Sequence, residues 1–276
     1  MESKTIFITG CSTGIGYVAA VELKKRGYRV ICSARKETDV SRLQTEGFET
    51  VQLDLAESIS IHNAVKQLIE LTNGKIDALF NNGAFGQPGA VEDLTRDVLR
   101  SQFETNFFGT HELTNLILPL MRKQGYGRIV YNSSILGFVA MKYRGAYNAS
   151  KFALEGLVDT LRIELYDTNI QLSIIEPGPI TSNFRKNAFA LYKKNIDPSL
   201  SFHKTTYQAM EERLQKEGSA APFTLPAEAV VEKLVHAVES KRPKIRYYVT
   251  FPTYLFGFFK RILPMAWLDV LLRKVQ

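Results

Sequence analysis

Cysteine and histidine are scarce in this sequence, and the few present fall in no useful spacing. Cys11 and Cys32 are the only cysteines, and His62, His111, His203 and His236 the only histidines. Two cysteines build no disulfide framework, and no short-spaced cysteine or histidine pair suggests zinc, so no metal site is expected. Long apolar runs are missing as well. The aromatic-rich C-terminal stretch is interrupted by Pro252 and Pro264, well short of the ~20 apolar residues that a spanning helix needs. The opening MESKTIFITG has an acid at Glu2 and only a brief apolar run before its first glycine. It does not read as a signal peptide, and a reducing, cytoplasmic location is expected.

What is present is an average globular composition: 45% apolar and 23% charged residues over 276 positions. That excludes a disordered or collagen-like chain and supplies ample material for a large core. The net charge of +7 suggests nucleic acid until it is located. Residues 1–240 hold 27 basic and 27 acidic side chains, whereas 241–276 hold eight basic ones against Asp269 alone. A neutral body offers no basic stripe for nucleic acid, so only the tail needs an electrostatic explanation.

Along the chain, near-continuous β-branched and apolar runs predict strands at 5–9, 28–33, 50–54, 77–81, 127–132 and 171–176. Runs of that kind fit strands covered on both faces. Helical spacing fills the gaps near 14–26, 58–72, 95–122 and 147–167, so the pattern implies an α/β fold, a doubly wound parallel sheet with helices on both faces. After Pro177-Gly178-Pro179 the rhythm breaks, and 181–225 offers no strand. A helix starting at Pro226 and a strand at 245–249 follow. We read 1–276 as a single domain, with 178–225 an insertion over the substrate and 250–276 an aromatic and basic extension.

The first strand runs into Thr9-Gly10-Cys11-Ser12-Thr13-Gly14-Ile15-Gly16 and then a helix. Glycines there let the backbone approach a pyrophosphate, which meets the free N–H groups at the helix start. Taken alone, the motif is equally a tight strand-to-helix turn; its place in the first βαβ unit favours a nucleotide. The second strand ends in Ser33-Ala34-Arg35-Lys36, two cations and a hydroxyl where an acid would bind an NAD ribose. Such a set suits the 2′-phosphate of NADP(H), although a basic loop leading into a helix would look the same. Asp54, in Leu53-Asp54-Leu55, could accept from an adenine amine or serve only as a turn residue. Tyr147 and Lys151 lie at i and i+4 on one helix face, thirteen residues after Ser134. An ammonium beside a phenol favours phenolate and lowers a pKa that starts near ~10, giving an acid/base group for neutral pH.

These residues, in this order, resemble the short-chain dehydrogenases/reductases over nearly the whole chain. The match runs through Thr9-Gly10-x-x-x-Gly14-x-Gly16, Asp54, Asn81-Asn82-Gly83-Ala84, Asn106, Ser134, Tyr147 with Lys151, and Pro177-Gly178 with Thr181. The usual Asn-Asn-Ala-Gly of that family is here Asn-Asn-Gly-Ala. The resemblance implies a Rossmann-like sheet of about seven strands and hydride transfer with a nicotinamide cofactor. It further implies that Asn106 holds a water on Lys151, against the plainer reading of a helix-packing amide. It also implies that Lys151 binds the nicotinamide ribose and that Thr181, beside Ile180, holds the carboxamide. Within the family the chain is similar to the branch of 17β-hydroxysteroid dehydrogenases, retinol dehydrogenases and bacterial NADP-dependent aldehyde reductases.

The expected function is therefore NADP(H)-dependent interconversion of a small hydrophobic alcohol and its aldehyde or ketone by Asn106, Ser134, Tyr147 and Lys151. A homo-oligomer is expected. The alternative is a non-catalytic cofactor sensor or scaffold on the same fold. For the tail three readings stand: packing on the sheet edge, a roof over the substrate, or membrane contact through Phe256, Phe258, Phe259 and Trp267 with Lys260, Arg261, Arg273 and Lys274 facing anionic headgroups.

Overall fold

The computed structural model describes residues 3–216, 218 and 221–274; residues 217, 219 and 220 of the insertion and 275–276 of the tail lie outside the described residues, as do residues 1–2. The strands are β1 Thr5–Ile8, β2 Arg29–Ala34, β3 Glu49–Gln52, β4 Ala78–Asn81, β5 Gly127–Asn132, β6 Ile170–Glu176 and β7 Arg246–Tyr248. Between and after them come α1 Gly14–Lys25, α2 Glu37–Thr45, α3 Ser58–Thr72, α4 Arg96–Phe103, α5 Gly109–Gln124, α6 Gly145–Glu164, α7 Phe184–Asn195, α8 Lys204–Gln215, α9 Glu228–Glu239, α10 Phe251–Ile262 and α11 Met265–Lys274. All strands are parallel, in the order β3-β2-β1-β4-β5-β6-β7.

The strand sequences read as unbroken apolar runs because both sheet faces are dry. Ile6 and Ile8 of β1 pack with Ala19, Ala20 and Leu23 of α1 and with Val230 and Leu234 of α9. Phe7, pointing the other way, joins Ile61 and Leu68 of α3, Leu113 and Ile117 of α5, and Leu154 and Val158 of α6. The chain winds outward in both directions from β1, so a crevice opens beyond the C-terminal ends of β1 and β4. Gly10, Asn82, Ser134 and Pro177 all stand at that rim, each just past a strand end.

Four features differ from the sequence expectation. The helix expected over 95–122 is broken: Glu104–Phe108 between α4 and α5 forms a π turn, the kind of widening often found at functional sites. The polar segment Glu37–Thr45 is helical, burying only Val40 and Leu43. Within 181–225 lie two helices, α7 and α8, whose Tyr192 and Tyr207 form a small separate core with Ala90 and Ile196. Pro252 does not interrupt the tail; it sits in the first turn of α10, where proline's missing N–H costs nothing. Among the described residues no helix is long and apolar enough to cross a membrane.

Candidate active site

Thr9, at the end of β1, joins the two central loops: its Oγ1 accepts from the N–H of Asn82 and of Gly83, both at 2.8 Å. Asn82 in turn donates from Nδ2 to the Thr9 carbonyl at 2.9 Å and accepts from Asn132 Nδ2 at 2.9 Å. The glycines are sterically required. Gly10 and Gly14 have φ of +72° and +62°, and a Cβ on Gly16 would lie 2.3 Å from the Gly10 carbonyl oxygen. Thr13 caps α1 in an extended conformation without bonding any helix N–H through its side chain. The first turn of α1 therefore presents free N–H groups to the crevice.

A cleft of about 530 Å³ opens here. Of the residues expected to hold a cofactor, Gly10, Ser12, Thr13, Gly14, Ile15, Asn82, Gly83, Tyr147, Lys151, Pro177, Gly178, Ile180 and Thr181 line it. Gly16 packs beneath the loop. Ser33, Arg35, Lys36, Asp54 and Leu55 lie outside that lining, around the ends of β2 and β3. Ser33 is buried with its hydroxyl unpartnered, whereas Arg35 and Lys36 are exposed. Asp54 spends one carboxylate oxygen on the Ala56 N–H at 3.0 Å, a turn contact. Leu55 is buried against Gly83. One cation here was invisible in the sequence: Arg42 of α2 donates from Nη2 to the Ser12 carbonyl at 2.7 Å.

The chemical end is built from β5 and α6. Tyr147 and Lys151 are 9% and 2% exposed, and Lys151 Nζ donates to the Asn132 carbonyl at 2.7 Å. That ammonium stands 5.7 Å from the centre of the Tyr147 ring. Burial pushes the Tyr147 phenol up to about 12, against a Ser134 hydrogen bond and the Arg144 charge, which pull it down. Burial likewise pushes Lys151 down to about 8, opposed by the Glu155 carboxylate. The expectation that Lys151 would lower the phenol's pKa needs correcting: desolvation dominates, and the cationic pull comes from Arg144.

Asn106 occupies the π turn and is buried. Its Nδ2 donates to the Phe85 carbonyl at 2.9 Å and to Ser150 Oγ at 3.1 Å, while its Oδ1 accepts from the Phe85 N–H at 3.1 Å. The side chain thus ties α6 to the loop after β4. Behind the cleft lies a second group that the sequence reading missed. Ser133 Oγ donates to Glu155 at 2.6 Å. Arg246 of β7 donates to Glu155 at 2.6 Å, to Asp159 at 2.6 Å and to the fully buried Glu176. The only available signal was that Glu155 follows Lys151 by four positions, on one helix face.

The outer cleft is apolar, with Leu136, Val139, Met141, Phe184 and Leu214, and is completed by Pro252, Phe256 and Leu272 of the tail. Lys260 is exposed, but its ammonium donates to the Phe138 carbonyl and is thus tied to the protein. Phe256 likewise lines the cleft, while Phe258 and Trp267 are exposed.

Comparison with known proteins agrees with this geometry. A family model described as short chain dehydrogenase matches residues 4–193. The chain is 41% identical to the uncharacterized oxidoreductase YbbO of Escherichia coli (strain K12), over 98% of this chain and 94% of that protein. It is 32% identical to retinol dehydrogenase 8 of Homo sapiens, over 88% of this chain and 80% of that one. A short-chain dehydrogenase structure from Streptomyces avermitilis superposes with a TM-score of 0.77 at 26% identity, covering 95% of this chain and 94% of the other. The chain belongs to the short-chain dehydrogenase family and is an oxidoreductase.

Proposed function

We propose that this oxidoreductase uses NADP(H) to interconvert a hydrophobic alcohol and its aldehyde or ketone. The observation that carries the reading is the placement of Tyr147, buried at the cleft wall within reach of Ser134, Arg144 and Lys151. The residues fit a dinucleotide: the left-handed glycines, the uncapped start of α1 and the orphaned Ser33 hydroxyl all leave room and donors for phosphates. When bound, that cofactor supplies or accepts the hydride. Gly10 to Gly16 would hold its pyrophosphate, and Lys151 its nicotinamide ribose. Ile180 and Thr181 would hold the carboxamide, and Asn82, Gly83, Asp54 and Leu55 the adenosine.

In the reductive direction Tyr147 donates its hydroxyl proton to the carbonyl oxygen, which Ser134 Oγ also meets with a hydrogen bond. The raised phenol pKa keeps Tyr147 protonated at neutral pH, the state a general acid needs. Arg144 is the charge that pulls towards the phenolate left behind, and Lys151, held by the Asn132 carbonyl, adds a second cation beside the ring. Asn106 supports this arrangement by fixing Ser150 and hence α6. The apolar outer cleft excludes water from the reacting carbon, which supports the tail as a roof.

The preference for NADP(H) rests on Arg35 and Lys36 beside Ser33, with Arg42 reaching the glycine loop. Exposed Leu99 and Phe108 on the α4–α5 face support a homo-oligomer. The tail carries a further supporting feature for lipid contact. On α10 the exposed Phe251, Tyr254, Phe258 and Ile262 recur at helical spacing, and Trp267 and Val270 follow on α11. Arg261, Arg273 and Lys274 lie on the same two helices, a charge pattern suited to an anionic bilayer surface.

The test is Tyr147→Phe, followed by NADPH oxidation with decanal and retinal. The variant keeps its ring and its fold, and turnover should fall by about 10²–10⁴, as for loss of a general acid. Near wild-type turnover would refute the mechanism. Tight NADPH binding with no turnover of any carbonyl by the wild type would favour the sensor.

A further inference from the structure

The cleft carries positive charge that neither a neutral carbonyl substrate nor the cofactor contacts assigned above account for. Arg144, Arg185 and Arg213 line it together with Lys151, and among the described residues no aspartate or glutamate does. Arg185 is anchored, donating to the Lys216 and Gly218 carbonyls. Arg144 and Arg213 are different. Both are only partly exposed, and among the described residues neither guanidinium forms an ion pair or a hydrogen bond. Burial and mutual repulsion, Arg213 acting on Arg144 and Arg185 on Arg213, press their pKa values down.

The position of Arg144 is costly in two further ways. It is the N-cap of α6, where no side chain bonds the helix N–H groups. A cation there opposes the positive end of the helix, where serine, threonine or aspartate would be stabilising. The residue before it, Tyr143, sits at φ +58°, a left-handed backbone that bulky side chains rarely adopt. A fold that accepts strain, an unfavourable cap and two half-buried like charges is arranged for a counterion that arrives from outside.

We propose that Arg144 and Arg213 form an anion subsite in the substrate cleft, so that the substrate is an apolar chain bearing a carboxylate or phosphate in addition to its reacting carbonyl. The inference rests on the oxidoreductase reading above and narrows its substrate class. Two guanidinium forks match either anion in geometry. Arg144 caps the helix that carries Tyr147, so anion subsite and proton donor open into the same cleft. The apolar wall of Leu136, Val139 and Phe256 takes the chain between them.

The subsite is tested in the full-length protein with a matched pair, decanal and its ω-carboxylated counterpart of equal length. The wild type should turn over the carboxylated aldehyde with at least tenfold higher kcat/KM. That ratio should collapse towards one in Arg213→Gln and in Arg144→Gln. A wild-type ratio near one overturns the proposal. Equal losses on both substrates in the variants also overturn it, and would make Arg144 a support of Tyr147 alone. A loss of NADPH affinity in Arg213→Gln with the ratio preserved overturns it in favour of a cofactor contact. Calorimetry of decanoate, decyl phosphate and decanol needs no turnover. Tight binding of either anion over decanol, lost in Arg213→Gln, supports the subsite even if the redox reading fails, and identifies which anion fits. Binding of all three alike overturns it.

Discussion

Replacing Arg246 by glutamine tests whether the buried charge cluster behind the active site is a structural necessity. The guanidinium serves three carboxylates, but they do not count equally. The Asp159 side chain is 37% exposed, so water screens that pair and its contribution is small. Glu155 and Glu176 are 6% and 0% exposed, and removing the cation that bridges them leaves two adjacent carboxyl groups in a dry interior, with only the more distant charges of Lys151 and Lys260 acting on them. Breaking a buried pair of this kind costs about 3–5 kcal/mol; with Arg246 itself partly exposed the lower end applies, about 3 kcal/mol. For a chain of this size that corresponds to a fall in Tm on the order of 5–10 °C.

The pH dependence sharpens the test. Burial and the Glu155 charge already push Glu176 up to about 8, with Arg246 pulling it back. A carboxyl whose folded pKa exceeds its unfolded value of ~4.3 contributes stability that is complete below that value and lost as pH rises through the folded pKa. Without Arg246 the folded pKa rises further, so the loss continues above pH 8 and the destabilisation should be larger at pH 9 than at pH 6. Thermal melts of both proteins at the two pH values measure this. A Tm loss below about 2 °C, or one that is the same at both pH values, would refute the reasoning from burial. Glutamine also removes what braces the Ser133–Ser134 segment, so kcat should fall with NADPH affinity little changed.

Two further outcomes follow from the cofactor and tail geometry. Arg35→Ala should erode a preference for NADPH over NADH by about tenfold, the worth of one charge-assisted contact of roughly 1.5–3 kcal/mol, and equal kcat/KM for the two cofactors in the wild type would show that neither Arg35 nor Lys36 reaches the ribose. The two tail readings are separated by Phe256→Ser, which should raise KM for long aldehydes, and Trp267→Ser, which should weaken flotation with anionic vesicles only; truncation is unsuited, because α10 buries Thr253 and Gly257 against Tyr248 and Thr250 and covers the sheet edge. If Trp267→Ser and wild type float alike, lipid contact through this face is refuted.

The strands and the residues around Tyr147 were legible because their signals are local. An apolar run such as Thr5–Ile8 can hardly be anything but a covered strand, and the spacing of Tyr147 and Lys151 fixes a shared helix face without any tertiary information. The elements that were missed have little amphipathic signal: Glu37–Thr45 buries two side chains, and α7 and α8 bury two each. Their formation depends on docking against β2 and the loop after β4 rather than on their own pattern. The π turn was hidden for a different reason. Apolar spacing through 95–122 continues on both sides of it, and a single extra residue in the ladder leaves no compositional trace.

Charge was the least legible property, because its meaning depends on burial. The C-terminal surplus looked like one uniform feature in the sequence, but the fold divides it. Arg246 is consumed by Glu155 and Glu176 in the interior, and Lys260 by the Phe138 carbonyl and the Phe138 and Phe152 rings at 6.0 and 5.1 Å. Arg261, Arg273 and Lys274 of α10 and α11 are exposed, as is Lys260 outside its contact with Phe138. Conversely the neutral body, which gave no electrostatic signal at all, holds the two arginines with the most unusual surroundings. Arg144 and Arg213 are balanced on paper by acids that lie elsewhere on the molecule, while the cleft they line contains none among the described residues. Net charge by segment therefore located the solvent-facing cations of the tail and concealed the cations that line the cleft.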